Sequence, residues 1–408
     1  MITNNTILQI NSNANVGSTG HIAEQIGEFA IQHGWNSYIA YGREVRHSKS
    51  NLIKIGRKID WLYHAFMTRL TDRHGLFSTR ATRKLVQQIE KIKPDIIHLH
   101  NIHGYYLNYK VLFEYLNKSN IPVVWTLHDC WPMTGHCAHF EYAKCNRWKT
   151  ICHACPVKDG YPASCFFDRS QKNYIEKYEL FTSVRNMTIV PVSNWLGDIV
   201  KESFLKDCDM NVIRNGIDIQ KFQPIQSDLS DKFSISDKKI VLGVAAAWSD
   251  RKGLKDFVSL LELLPSQKYQ IVLIGLSAKQ LKQLPSGIIG LAKTESVEEL
   301  VQWYSVADVY ANLSYAETFG LTTAEALASG TPAVVYNNTA IPELVNQSIG
   351  RVVENGDIEG IAKAIEDLCA EDKAEMCKRC REYAVSHFDK EDSYQKYIKL
   401  YEEMIQKQ

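Results

Sequence analysis

Short runs of apolar residues alternate with longer amphipathic stretches along nearly the whole chain. In the first half, six runs predict strands: ILQIN, SYIAYG, DIIHLH, VVWTLH, TIVPVS and NVIRNG. In the second half, four further runs predict strands: IVLGVAAA, YQIVLIG, VYANLS and AVVY. Because strands that alternate with helices favour parallel, doubly wound sheets, the pattern predicts an α/β protein.

A polar stretch interrupts this pattern at residues 220–238 and is the natural linker between two α/β domains. We therefore predict one domain over residues 1–222 and a second over residues 223–385. Residues 386–408 predict a helix that packs back on the first domain. Its apolar positions recur at helical spacing: Tyr394, Tyr397, Tyr401 and Met404.

Composition narrows the class of protein. The chain has 408 residues, 45% of them hydrophobic, and a formal net charge of +1, so nothing global indicates a nucleic-acid partner. The N-terminus lacks a basic, apolar leader, and no apolar run approaches the ~20 residues of a membrane-spanning helix. We expect a cytoplasmic protein, in which the ten cysteines are reduced thiols or metal ligands.

The segment ETFGLTTAEALASGTPAVVY carries two carboxylates eight residues apart. We expect Glu317 in a loop, Gly320 at a close backbone approach, and Glu325 in the first turns of a helix. A glycine loop that leads into a helix N-terminus is a ready anion site. However, Thr322 and Glu325 also have the spacing of a capping box, which needs no ligand, and the residues alone do not decide between the two.

Three other motifs follow predicted strands. Gly17 begins GSTG, His128 ends TLH, and Arg251 and Lys252 precede a glycine. Each has an ordinary structural alternative, namely a turn, a buried histidine or a solvated basic pair. The first motif is not GxGxxG and no acidic residue closes the second strand, so NAD binding is disfavoured.

The order of these motifs resembles the retaining GT-B glycosyltransferases of family 4 over nearly the whole chain. The elements are TLHD, VSNW, NGIDIQKF, RKG, ETFGLTTAEALASGTPAVV and AIPELV. The stretch from PDIIHLHNIHGYYLN to VVWTLHDCWPMTGHCAHF further resembles members from capsule, O-antigen and exopolysaccharide clusters. The resemblance implies two Rossmann-like domains with an interdomain cleft. It also implies transfer of a sugar from a UDP- or GDP-sugar to a glycan or lipid-linked acceptor, without a catalytic cofactor.

The resemblance also implies residue roles. Glu325 would bind the ribose, Glu317 the donor sugar, and Lys252 the leaving diphosphate, while His128 would lie beside the donor sugar near the reacting carbon. Gly17 would let the first loop approach donor and acceptor. Backbone N–H groups would come from three loop residues: Phe319, Gly320 and Leu321.

One position departs from the family pattern. Members often carry an arginine five or six residues before the lysine, where this chain has Ala247 and Ala246. Arg251 is the alternative source of that charge, unless it points away from the site.

Three other classes of protein fit parts of the pattern. A GT-B sugar-nucleotide epimerase would convert the donor without an acceptor. A metal-dependent hydrolase could use His98, His100 and His128, but the later histidine and aspartate strand ends of a (β/α)8 barrel are missing. A non-catalytic sugar-binding protein would be favoured by loss of the glutamate pair, which is present.

A cysteine-rich insertion spans about residues 130–168, directly after the TLHD strand. Four of its cysteines have the spacing C-x7-C-x6-C-x2-C and suit a structural zinc ion. A histidine can replace one of them: His136, His139 or His153. The alternative is a set of reduced thiols without metal. The four cysteines of the predicted zinc site are Cys137, Cys145, Cys152 and Cys155.

Residues 57–93 contain nine Arg or Lys against three Asp or Glu, with aromatic residues interleaved. They predict either two solvated amphipathic helices or a surface that meets an anionic membrane and a lipid-linked acceptor. In the second case the protein would be peripheral at the inner face of the cell membrane.

Overall fold

The computed structural model describes residues 4–407 and divides them into two compact units. The first unit extends to Arg214 and includes the chain from Tyr394 onward, whereas the second comprises Asn215–Ser393. The observed division therefore falls at 214/215 instead of the predicted 222/223.

The first unit contains a seven-stranded parallel sheet in the order β3-β2-β1-β4-β5-β6-β7. Its central strands are buried along their whole length and are mostly apolar, as expected for a sheet covered by helices on both faces. The strands are β1 Thr6–Asn11, β2 Asn36–Tyr41, β3 Asn51–Lys54, β4 Ile96–Leu99, β5 Val123–Leu127, β6 Met187–Pro191 and β7 Asp209–Met210. The helices are α1 Gly17–Gln32, α2 Lys58–Thr71, α3 Thr79–Ile92, α4 Tyr109–Ser119, α5 Ser170–Phe181 and α6 Asn194–Glu202.

The second unit contains a six-stranded parallel sheet in the order β10-β9-β8-β11-β12-β13. The strands are β8 Lys239–Val244, β9 Tyr269–Ile274, β10 Ile288–Leu291, β11 Val309–Asn312, β12 Ala333–Tyr336 and β13 Gly350–Val353. The helices are α7 Leu229–Lys232, α8 Leu254–Leu263, α9 Ala278–Gln283, α10 Val297–Val306, α11 Leu321–Ala328, α12 Ile358–Ala370 and α13 Lys373–Phe388, and a final helix, α14 Lys390–Gln406, leads back into the first unit.

One local prediction was wrong. NVIRNG is not a strand; the last strand of the first sheet is only the Asp209–Met210 pair that precedes it. The stretch predicted as a linker, 220–238, contains the short helix α7, whose Leu229 is buried. Strands β3, β10 and β13 are edge strands and are only partly buried, so they lack the long apolar run that marks a central strand.

Helix α14 packs on the first sheet through tyrosines at helical spacing. Tyr397 hydrogen-bonds Thr126 at 2.9 Å, and Tyr401 hydrogen-bonds His98 at 2.7 Å. All four side chains are buried, so these bonds satisfy polar groups that would otherwise be costly inside the core.

The cysteine-rich insertion has few regular elements and is held by buried polar contacts. Lys177 of α5 donates to the carbonyls of Trp131 and Thr134 at 2.7 and 2.9 Å, and its ammonium lies 3.4 Å from the centre of the Trp131 ring. His136 pairs with Asp72 at 2.6 Å. Since an unpaired buried charge is costly, these partners fix the start of the insertion against the helices.

Among residues 4–407, none of the helices combines the length and apolar character that crossing a membrane requires.

Candidate active site

In each sheet there are two neighbouring strands whose following connections run to opposite sides of the sheet. This position is the topological switch point, and ligands of open α/β sheets bind there, at the carboxyl ends of the strands. In the second unit these strands are β8 and β11. The loop after β8 carries Lys252 and the loop after β11 carries Glu317. In the first unit the pair is β1 and β4, and Gly17 and His100 follow them.

The structure brings Lys252 and Glu317 together. The Lys252 ammonium donates to Glu317 Oε1, and both side chains retain about a fifth of their exposure, 20% and 18%. Gly253 makes the approach possible: its φ is +75°, and a Cβ there would lie 2.1 Å from the Leu313 carbonyl oxygen. A side chain at that position would therefore push the lysine loop away from the glutamate loop.

Arg251 has a different partner. Its guanidinium donates to the Ala316 carbonyl at 2.7 Å, and its own carbonyl accepts from the Tyr315 N–H at 2.8 Å. Arg251 thus braces the backbone just before Glu317, while Lys252 is the cation paired with the carboxylate.

Helix α11 begins at Leu321, with Gly320 as its N-cap at φ +97° and without a side-chain cap. The capping-box hypothesis for Thr322 and Glu325 is therefore wrong, because Thr322 lies inside the helix and accepts a hydrogen bond from Tyr310 at 2.7 Å. The neighbouring Phe319 is buried. The backbone N–H groups at the N-terminus of α11 are not covered by a capping side chain, so this helix end can bind an anion.

Glu325 is a partly buried carboxyl group on the first turns of α11. Tyr304 donates a hydrogen bond of 3.0 Å to its Oε2. Burial raises the pKa of Glu325 to about 7, against the smaller opposing effect of the Tyr304 hydrogen bond. Hence the group is a strong acceptor that lacks enough solvation to stay fully ionised at neutral pH.

Two residues that the sequence did not single out support Glu317. Thr339 accepts a hydrogen bond from the Glu317 N–H at 3.0 Å, and Asn338 donates to the Tyr315 carbonyl. Both follow β12, so the loops after two neighbouring strands hold the glutamate together. No local sequence signal marks them, because their partners lie more than twenty residues away in the chain.

In the first unit, His128 stacks on His100, with ring centroids 5.4 Å apart and an interplanar angle of 19°. His100 Nδ1 and His128 Nε2 share a hydrogen bond of 3.1 Å, and His100 Nε2 bonds the Gln9 side chain at 3.0 Å. Burial lowers the pKa of His128 to about 4; the negative charge of Asp129 opposes this shift, and His103 adds to it. The imidazole is therefore neutral at physiological pH and its orientation is fixed.

Gly17 begins α1 at φ +68°, and no atom lies within 4 Å of the place a Cβ would occupy. The helix N-cap, Val16, has no side-chain cap. The space in front of this helix is therefore open, and the left-handed backbone favours glycine there.

The histidines that a metal-dependent hydrolase would use as ligands are engaged in other hydrogen bonds. His98 bonds Thr126 and Tyr401, while His100 bonds Gln9 and His128, so both ring nitrogens of each are already used. Throughout residues 4–407, no three or more His, Cys, Asp or Glu side chains are arranged to hold a metal ion.

The four cysteines of the predicted zinc site line one small cavity of about 10 Å³. Cys137 and Cys155 share a hydrogen bond, and this contact lowers the pKa of Cys155 to about 7. The N–H of Val157 also donates to Cys155. The four thiols lie around one cavity but are not arranged to hold a metal ion, so zinc binding would require them to rearrange.

Comparisons with known proteins indicate the family of this chain. The family profile described as "Glycosyl transferases group 1" matches residues 226–387, and that described as "Glycosyltransferase Family 4" matches residues 32–221. A colanic acid biosynthesis glycosyl transferase of Escherichia coli, WcaC, is 25% identical over 368 residues, which cover 86% of this chain and 88% of the relative.

Two solved structures are similar over their full length. Sucrose-phosphate synthase of Thermosynechococcus elongatus has a TM-score of 0.73 at 17% identity, and covers 99% of this chain and 100% of its own. HepE of Anabaena in complex with UDP-glucose has a TM-score of 0.66 at 17% identity, with coverage of 97% and 98%. The two family matches together cover most of the chain, which therefore belongs to the glycosyltransferases, and the solved structures show that its two Rossmann-like units have the GT-B fold.

Proposed function

We propose that the protein transfers a sugar from a nucleoside-diphosphate sugar to a glycan or lipid-linked acceptor in cell-surface polysaccharide biosynthesis, with retention of the anomeric configuration. WcaC, named for colanic acid biosynthesis, supports the process. The HepE complex with UDP-glucose supports a UDP-sugar as the first donor to test. The reaction takes place in the cytoplasm, at the inner face of the cell membrane.

The observation that carries the proposal is the group formed by Lys252, Glu317 and the start of α11. A cation, a carboxylate and a helix N-terminus without a side-chain cap lie within one loop system of the second unit. A nucleotide sugar needs these three features: positive charge for the diphosphate, an acceptor for sugar hydroxyls, and backbone donors for phosphate oxygens.

Each residue then has one role. Lys252 exchanges its bond to Glu317 for the β-phosphate, which frees the carboxylate to accept sugar hydroxyls. The N–H groups at Phe319, Gly320 and Leu321 bind the diphosphate, and Glu325 accepts from the ribose. Arg251 is a positioning residue, because its guanidinium donates to the Ala316 carbonyl and holds the backbone just before Glu317.

Bond breaking at the anomeric carbon leaves a sugar with oxocarbenium character and a nucleoside diphosphate with one more negative charge. Lys252 and the α11 N-terminus stabilise this charge as it develops, which is the largest source of rate enhancement in many enzymes. In the first unit, the His100 hydrogen bond holds His128, which burial keeps in its neutral form, at the end of β5. The acceptor attacks from the face that the diphosphate leaves, so the configuration is retained.

The test is a transfer assay with UDP-glucose, UDP-galactose and GDP-mannose in excess EDTA. The acceptor is a detergent-solubilised lipid extract from the membranes of the cells that produce the protein naturally. We expect nucleoside diphosphate release that depends on the acceptor, and a product with the anomeric configuration of the donor by NMR. Conversion of the donor without acceptor would identify an epimerase, and release abolished by EDTA but restored by Mg²⁺ would contradict the metal-free mechanism.

We further propose that one zinc ion, held by Cys137, Cys145, Cys152 and Cys155, stabilises the insertion. Four protein ligands leave no open coordination position, so the ion would be structural and would take no part in transfer.

A further inference from the structure

Helix α2 has an unusual arrangement of apolar side chains. Its buried face carries His64 and Thr68, while the opposite face exposes large apolar side chains at the spacing i, i+3, i+4 and i+7. Between 47% and 64% of each remains accessible to solvent: Ile59, Leu62, Tyr63 and Phe66. A helix on a water-exposed surface normally buries its large apolar side chains and exposes its polar ones. The exposed apolar stripe of α2 therefore fits an apolar environment.

The insertion extends the apolar surface. The N–H of Cys165 donates to the Arg69 carbonyl at 2.8 Å, which holds this part of the insertion against the end of α2. The next two residues, Phe166 and Phe167, are 70% and 62% exposed. The α2 stripe and these two aromatic residues together form what we call the apolar face.

Next to the start of α2 is an open cavity of about 420 Å³ between β3 and α3. Four cations line it: Lys54, Arg57, Arg80 and Lys84. Lys54 donates to the Arg43 carbonyl at 2.5 Å, and Arg57 pairs with Asp60 at 3.8 Å.

Arg80 and Lys84, one turn apart on α3, differ from the other two cations. Within residues 4–407 neither has an ion-pair partner, and both are exposed at the cavity. Their charges are therefore available to an anion from outside the chain.

The charge of this region also differs from that of the rest of the protein. Residues 57–93 contain nine Arg or Lys and three Asp or Glu, although the whole chain carries only +1. A cationic cavity beside an apolar face matches the boundary of an anionic bilayer, where phosphate groups lie a few ångströms above the acyl chains.

We propose that the first unit docks on an anionic lipid bilayer. The apolar face enters the acyl boundary with α2 parallel to the membrane, and the cavity receives a lipid phosphate between Arg80 and Lys84. The proposal concerns the surface alone, so it stands or falls independently of which sugar is transferred.

Flotation of the full-length protein with vesicles tests this. We expect binding to vesicles of phosphatidylglycerol and phosphatidylcholine, weak binding to phosphatidylcholine alone, and loss of binding at high salt. Arg80→Ala with Lys84→Ala should lower the partition coefficient about 25-fold, since each cation near an anionic surface contributes about fivefold. Phe66→Ser should lower it by about tenfold or more through lost apolar burial.

The matched control is Lys396→Ala with Lys399→Ala, which removes two exposed helical cations from the same unit. Thermal unfolding shows whether each variant is folded. Equal losses in the control and the α3 variant, or equal binding to both vesicle types, would overturn the proposal. A third outcome would also overturn the proposal: the protein does not float with vesicles, but it binds inorganic phosphate and needs Arg80 and Lys84 to do so. The cavity would then serve a soluble anion.

Discussion

The raised pKa of Glu325 makes nucleotide binding a proton-linked reaction. With a pKa of about 7, about half of the molecules carry a protonated Glu325 at pH 7. If the ribose hydroxyls donate to this group, the bound form must be the carboxylate. Binding of UDP at pH 7 should therefore release about half a proton from this site, and the release should fall toward zero by about pH 8.5.

Isothermal titration of UDP in buffers of different ionisation enthalpy measures the protons released. The phosphate of UDP also titrates, near pH 6, so the comparison with Glu325→Gln isolates the contribution of the side chain. The glutamine keeps the shape and a carbonyl acceptor but cannot titrate. Equal proton release by both proteins, or equal UDP affinity of both across pH 6–8.5, would refute the assigned role.

The same pKa predicts the stability of the free protein. The unfolded carboxyl ionises near 4.5, whereas the folded one does so near 7. Its contribution is therefore most favourable at low pH and is lost as the pH rises from about 4.5 to 7, by ~3 kcal/mol. The difference in unfolding free energy between Glu325→Gln and wild type should therefore shift in favour of the variant by about that amount between pH 5 and pH 8. Denaturant unfolding measures this difference, and an unchanged difference would mean that the carboxyl is well solvated.

Two further predictions concern the phosphate cation and the cysteines. Lys252→Ala should reduce kcat by about 100-fold, the usual effect of losing one transition-state donor, whereas Arg251→Ala should cost less than about tenfold in kcat and lower Tm through the lost backbone bond. Steady-state kinetics and thermal unfolding check this, and the reverse ranking would make Arg251 the phosphate ligand. Protein purified without added metal should contain about one equivalent of zinc, which Cys152→Ser with Cys155→Ser should remove together with stability; less than a tenth of an equivalent, with normal folding of the variant, would contradict it.

The central strands of both sheets could be predicted from sequence because burial on both faces makes each of them a continuous apolar run. The same holds for the position of Glu317 in a loop and of Glu325 on a helix, since glycine and the helix-forming residues after it are local signals. These features depend on residues close together in the chain, where backbone preference and periodicity are strong.

Tertiary structure decided the features that depend on distant partners. Arg251 and Lys252 are adjacent in sequence, but only the packing of the β8 and β11 loops directs one to a backbone carbonyl and the other to Glu317. Tyr304 reaches Glu325 from another helix, and Thr339 reaches Glu317 from another strand end. Because a hydrogen bond across more than twenty residues leaves no periodic trace in the chain, the sequence determined which groups are present, and the fold determined which of them meet.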